Sequence, residues 1–270
     1  MGVHSVKNRP DHRRTAFLFA VPIAVLGGLI GLGGAEFRLP VLASVLRYSA
    51  RQAVPLNLSI SLITVIASLL IRAGALPMNA LSELAVPITA LIAGAMISAA
   101  AGASLASRLP EHWLEATIRL FLLAIGGLLI VEAFLPLQGS GFIPAEVVWR
   151  AGAGVLFGLL IGLVSSMLGV AGGELIIPTL IFAFGADVKV AGTASLIISL
   201  PTIMVGLFRY ARRDAFTDRA PLRETVAPMG AGSIIGALIG GVLVGIVSAA
   251  FLKLLLGIVL IISAVRMFRH

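Results

Sequence analysis

Apolar residues along this chain come in long unbroken runs, not in alternation. Residues 16–34, 53–71, 85–107, 151–173, 190–208 and 225–252 contain no charged side chain. Each run is near or above the roughly 18 apolar residues that can cross a bilayer as a helix. Shorter apolar cores at 121–131 and 254–265 complete two more helices. Strands of a membrane barrel would alternate with period two, and these runs do not, so the pattern predicts an all-α polytopic membrane protein.

Two of the runs are interrupted in the same way. "GLGGAEFRLP" occupies 31–40 and "GVAGGELIIP" occupies 169–178, a shift of 138 residues. At that shift Gly31 falls on Gly169, Gly34 on Gly172, Glu36 on Glu174, Pro40 on Pro178, Ser61 on Ser199 and Thr64 on Thr202, without gaps. Matches on Gly, Glu, Pro, Ser and Thr are not what a shared apolar composition produces. The chain therefore reads as a cytoplasmic tail (1–14), a first repeat (15–137), a linker (138–144) and a second repeat (145–268). Each repeat is a Gly/Pro-broken or re-entrant helix followed by three transmembrane helices. A spanning broken helix makes the repeats parallel and a re-entrant one makes them inverted, and the inverted arrangement is preferred. Duplicated segments broken by Gly and Pro point to the binding site of a secondary transporter, because non-helical backbone at membrane depth is tolerated only where it is buried or lines a watery cavity.

Composition and charge narrow this picture. Of 270 residues, 59% are hydrophobic and 12% are charged, against about 25% charged in soluble domains. Mean hydropathy is +1.08. The net charge of +8 does not indicate nucleic acid. The bases collect beside the apolar runs, at Lys7, Arg9, Arg13 and Arg14, at Arg209, Arg212, Arg213, Arg219 and Arg223, and at Arg266 and Arg269. This positive-inside bias places both termini and the 209–223 loop in the cytoplasm. In the inverted arrangement Arg47, Arg51 and Arg108 also lie inside, and Arg72, Arg150, Lys189 and Lys253 outside. The first run is read as a retained helix and not a cleaved signal. With no cysteine there is neither a disulfide nor a thiolate metal site. His4, His12, His112 and His270 lie in termini or a loop and make poor metal ligands or proton relays. No zinc-protease HExxH and no Walker loop is present, so no cofactor, no metal and no enzymatic chemistry is expected.

The candidate chemistry sits at the breaks. A half-helix starting after the glycines, at 36–46 and again at 174–184, would aim free amides and a positive dipole end into the membrane interior. Two such ends facing each other form an anion site, with Gly31, Gly33, Gly34, Gly169, Gly172 and Gly173 shaping the backbone. Glu36 and Glu174 are ionisable groups at membrane depth and so functional candidates. They are either a proton-coupling pair or first-turn residues that complement the helix dipole. Arg38, opposite Ile176 in the second repeat, has three readings: substrate contact, a pair with Glu36, or snorkelling to an interface. Its spacing of two from Glu36 disfavours the pair. On the next helix Asn57, Ser61 and Thr64 share one face, as do Ser195, Ser199 and Thr202. They either line the site or bond between helices. Glycines spaced by four, at 154, 158 and 162 and at 232, 236 and 240, read as packing within one protomer, with a homodimer left open.

"GLIGLGGAEFRLPVL" and "SMLGVAGGELIIPTLIFAFG", each leading into a helix bearing Ser and Thr, resemble the duplicated glycine signature of the sulfite exporter TauE/SafE family, also called the toluene-sulfonate uptake permease family. The resemblance extends over nearly the whole chain. Gly31, Gly33, Gly34 and Pro40 match the first signature, and Gly169, Gly172, Gly173 and Pro178 the second. Ala35 and Ala171 depart from it, each replacing one glycine, so the two breaks are expected to differ in backbone shape. The resemblance implies secondary transport of a small anion, of the sulfite, sulfonate or sulfoacetate class, across the bacterial inner membrane. The lipid bilayer and the anion are then the expected partners. A passive anion channel and a non-transporting scaffold or sensor are the competing readings.

Overall fold

The computed structural model describes residues 10–72, 81–105, 123–124, 126–131, 133–134, 141–168, 170–212 and 215–266. Gly169 lies outside them, as do Lys7, Arg9, Arg108, Arg213, Arg269, His4, His112 and His270 and parts of the expected tail and linker. The described residues are helical with no strand, and five helices among them are long and apolar enough to cross a membrane. In chain order the helices are α1 (Pro10–Ile30), α2 (Ala35–Pro40), α3 (Ala50–Arg72), α4 (Ala85–Leu105), α5 (Val147–Leu168), α6 (Gly173–Pro178), α7 (Val188–Ala211), α8 (Ala227–Ile246) and α9 (Ala249–Arg266). Residues 126–131 form a further helical stretch.

Both breaks turn the chain back on itself. His12 near the start of α1 and Tyr48 just beyond α2 bond the same hydroxyl, Thr225 Oγ1, at 3.1 and 2.7 Å. In the second half the amides of Phe142 and Ile143, ahead of α5, donate to the carbonyls of Phe182 and Ala183, beyond α6, each at 3.0 Å. So α1–α2 and α5–α6 are helical hairpins whose tips are the glycine breaks. Helices α3 and α7 run antiparallel between them. Arg72 at the end of α3 meets Thr193 and Lys189 at the start of α7, and Gly206 near the end of α7 lies against Leu58 near the start of α3.

The local reason for each returning helix is a pair of residue types placed alike. Gly34 (φ 75°) and Gly172 (φ 78°) hold the left-handed conformation that starts α2 and α6, which glycine adopts without penalty. Pro40 and Pro178 lack an amide hydrogen, so the ladder loses a bond there. The chain widens into a π-helical turn at Val41–Val45 and again at Thr179–Ala183. Both turns end alike. The amide of Tyr48 reaches back to Leu42 and that of Ala186 to Leu180, over a left-handed residue that is Arg47 (φ 59°) in the first half and Gly185 (φ 73°) in the second. Each bond reaches six residues back, one more than the 6→1 bond of a Schellman ending, because the turn it closes is π-helical.

The glycines spaced by four lie inside the protomer. A methyl at Gly236 would stand 2.3 Å from the Val21 carbonyl oxygen, and one at Gly240 would stand 2.3 Å from that of Val25. Hence α8 presses its backbone onto α1. In the same way Gly158 and Gly162 meet Leu91 and Ala95, pressing α5 onto α4. Among the described residues these are the two most extensive helix pairs, and both are parallel. Small residues are what permit such close approach where lipid offers no hydrophobic drive. The outward faces carry Leu18, Leu70, Leu156, Met204 and Val242, as a lipid-facing surface should.

Candidate functional site

The two hairpin tips meet in the middle of the bundle. A methyl at Gly173 would stand 3.0 Å from Leu32 Cα and 3.2 Å from Ser195 Oγ. Gly31, Leu32, Gly33 and Gly34 are buried, and so are Val170, Ala171, Gly172, Gly173 and Glu174. The structure thus brings together the glycines of the first break and the described glycines of the second. It also joins both to α7, since Ser195 Oγ donates to the Gly31 carbonyl at 3.1 Å and Ser199 Oγ to the Ala171 carbonyl at 2.9 Å.

Arg38 enters this junction from α2. Its side chain is fully buried. Nη1 donates to Ser61 Oγ at 3.0 Å, and Nη2 donates to Thr64 Oγ1 at 3.1 Å and to the Gly33 carbonyl at 2.8 Å. Nε has no partner. The guanidinium therefore lies between the break and α3 and does not snorkel to an interface. Asn57, also fully buried, donates from Nδ2 to the Ala35 carbonyl at 3.1 Å. Glu36 begins the same helix. Both of its carboxyl oxygens are buried without a hydrogen-bond partner, and it stands close enough to Arg38 for the charges to attract. Glu174 is buried on α6 at 6% exposure.

The polar face of α3 is longer than the stripe ending at Thr64. Asn57, Ser61, Thr64, Ser68 and Arg72 succeed one another at helical spacing, and all five are 0% exposed. Ser68 Oγ has no partner. Arg72 donates to the carbonyls of Gly28 and Leu29 on α1 and to Thr193 on α7. Sequence position alone put Arg72 at a membrane surface, whereas its end of α3 is covered by α1 and α7. The usable signal was its register, four residues beyond Ser68.

Two buried guanidinium groups thus occupy the first half, and their partners are hydroxyls and carbonyls. Among the described residues no carboxylate hydrogen bonds to either. Burying such charges is costly, and for Arg38 attraction to Glu36 offsets part of that cost. No group of His, Asp and Glu suited to a metal ion occurs among the described residues. At the end of the bundle where α1 begins, Tyr48 is buried beneath Thr225. Burial, the larger cause, raises its phenol above the usual value against the opposing Thr225 bond, so it stays a neutral hydroxyl. A shallow cleft at this end is lined by Gln52, Leu56, Phe216, Asp218 and Pro221.

A family model described as Sulfite exporter TauE/SafE matches residues 3–129 and 153–270. No curated protein matches the chain, and no solved structure does.

Proposed function

The chain belongs to the sulfite exporter TauE/SafE family of membrane transporters, and on that premise we propose that it is a secondary carrier exporting a small organosulfur anion of the sulfite, sulfonate or sulfoacetate class. The observation that carries the reading is Arg38, a buried guanidinium with an unpartnered Nε–H set at the junction of two broken helices. A planar guanidinium and a ring of hydroxyls suit the oxygens of such an anion. Gly31, Gly33, Gly34, Gly169, Gly172 and Gly173 keep side chains out of its way, and Asn57, Ser61, Ser195 and Ser199 are the polar groups that would exchange their present bonds for bonds to the anion.

The halves act as inverted repeats, 15–137 and 145–268, joined by 138–144. Support comes from the antiparallel α3 and α7, and from bonds that recur at the shift of 138. The amide of Arg38 bonds Gly34 as that of Ile176 bonds Gly172, and the amide of Leu32 bonds Gly27 as that of Val170 bonds Ser165. Exposed Arg13, Arg14, Arg47, Arg212, Arg219 and Arg223 support reading the end where α1 begins as the cytoplasmic one, with both termini on the cytoplasmic side of the bacterial inner membrane. The tight contact of Leu32 with Gly173 favours a carrier over an open channel.

Glu36 and Glu174 are the coupling pair. An ionised carboxylate at the junction repels the substrate, and a protonated one admits it, so the anion and the proton move under mutual control. The test is flux of labelled sulfite or a small sulfonate from liposomes under an imposed pH gradient, with Glu36→Gln and Glu174→Gln beside the unaltered chain. Gradient-driven flux that is lost in either folded variant supports a proton-coupled carrier. Flux that ignores the gradient and survives both changes reduces the glutamates to helix-end residues. Absence of flux with all of these anions overturns the substrate class.

A further inference from the structure

Arg72 is a fully buried guanidinium that the central site does not use. Its surroundings explain its orientation. Helix α1 stops at Ile30, and the last carbonyls of a helix have no amide of their own to accept from. Arg72 supplies donors to two of them, Nε to Gly28 at 3.1 Å and Nη2 to Leu29 at 2.7 Å. A cation at that end of a helix also complements its dipole. Nη1 then reaches away from the first hairpin and donates to Thr193 Oγ1 at 2.9 Å and to the Lys189 carbonyl at 3.4 Å, both on α7. One side chain therefore joins the broken end of α1 to the first turns of α7.

The backbones it joins are in direct contact. A methyl at Gly31 would stand 2.3 Å from the Gly192 carbonyl oxygen, and a methyl at Gly192 would stand 2.3 Å from that of Ile30 and 2.9 Å from Arg72 Nη1. This seam lies between the central junction and the end of the bundle where α7 begins. At the opposite end the residue in the place of Arg72, 138 positions on, is Tyr210. A tyrosine offers one hydroxyl donor where arginine offers five N–H groups. The shallow cleft beside Gln52 and Asp218 opens at that opposite end.

We infer that Arg72 is the bolt of one of the carrier's two gates. The seam of Ile30 and Gly31 against Gly192 opens only when the bonds from Arg72 to α7 are released. The unequal ends bias the carrier towards the state closed on the Arg72 side. Arg72 acts here as a positioning residue and does not touch the transported anion. The inference rests on the carrier reading above, and its test is independent of flux.

The chain has no cysteine, so a single thiol can report on the seam. In Ser195→Cys the thiol replaces a hydroxyl that bonds Gly31. Its reaction with a membrane-impermeant maleimide is followed from each side of sealed vesicles. Adding Arg72→Gln is expected to speed labelling from the Arg72 side by about tenfold or more, the scale of losing one hydrogen bond to a charged group, with no comparable gain from the other side. Thr193→Val keeps the bonds to α1 and removes one to α7. It is expected to give a smaller increase of the same sidedness, and it decides the matter if Arg72→Gln does not fold. Unchanged labelling in folded protein, or an equal increase from both sides, overturns the inference. Sided labelling in the thiol variants, with no flux of any tested anion through the unaltered chain, leaves the gate standing and removes the substrate assignment. Flux with unchanged labelling does the reverse.

Discussion

In the first half of the molecule the space between the break and the following helix is filled by a guanidinium, and in the second half by a hydrocarbon. Arg38 stands between Ser61 and the Gly33 carbonyl. At the corresponding place Ile176 is buried, and Ser199 donates straight to the Ala171 carbonyl at 2.9 Å. The short helices begin and end alike, with the same left-handed glycine, the same proline and the same π-helical turn, but Gly33 (φ 79°) is left-handed where its counterpart Ala171 is not, the difference in backbone shape expected from the alanine. Thr64 and Thr202 each donate to the carbonyl four residues back. The difference teaches where chemistry is housed. A shared frame provides two equivalent places for a polar group, and the sequence uses one of them for a charge. The junction is thus electrostatically one-sided, though its frame is nearly two-fold.

The largest expected effect comes from erasing that difference. Arg38→Ile should let Ser61 bond the Gly33 carbonyl as Ser199 bonds Ala171. Flux should fall by about a hundredfold, equivalent to roughly 2.7 kcal/mol, in a protein that still folds, because the isoleucine leaves no buried guanidinium to satisfy, although Glu36 loses the charge that attracts it. Flux and thermal midpoint measured together check this, and unimpaired flux would remove Arg38 from the site. Next come Gly34→Ala and Gly172→Ala. Each places a side chain in the left-handed region and within contact distance of a neighbour, Ile23 Cγ2 at 2.9 Å or Ser165 Oγ at 2.2 Å. A loss of about 2–4 kcal/mol is expected for both, strain and overpacking together, read from denaturant unfolding in detergent. Strongly unequal losses would break the likeness of the two frames. Ser199→Ala removes a single bond and should cost about 1 kcal/mol in the same measurement. The smallest effect is a gain. Arg47→Gly relieves a left-handed arginine that the second half already writes as Gly185, and should stabilise by about 0.5–1 kcal/mol. A loss there would mean that the Arg47 side chain makes a contact worth more than its strain.

Much of the frame is legible before any coordinates. Glycine and proline declare backbone geometry locally, so the breaks at Gly31–Pro40 and Gly169–Pro178 can be read from residue type and spacing. The face formed by Asn57, Ser61 and Thr64 follows from the helical repeat alone. The partners on that face do not. Asn57 and Ser195 stand 138 apart and would seem equivalent, yet Asn57 bonds Ala35 and Ser195 bonds Gly31, both in the first break. Arg72 shows the same limit from another side. Whether a charge at a helix end meets water or another helix depends on free carbonyls created by a break far away in the chain. The π-helical turns were not read either, because a missing donor at Pro40 has several local remedies. Leu42 and Leu180, whose carbonyls accept the bonds that close the two turns, are both fully buried.

The seam between α1 and α8 also sets the order in which this molecule can be completed. Helix α1 leaves the ribosome well ahead of α8. Until α8 arrives, the backbone strip of Phe17, Val21 and Val25 that its glycines will cover stays open to lipid. The opposite holds for α5, whose partner α4 is already in place. Biogenesis is therefore lopsided, with the second hairpin able to dock as it is made and the first waiting until α8 has followed. A chain truncated before Gly232 should remain inserted yet unassembled, exposed to membrane quality control over the length of its first helix.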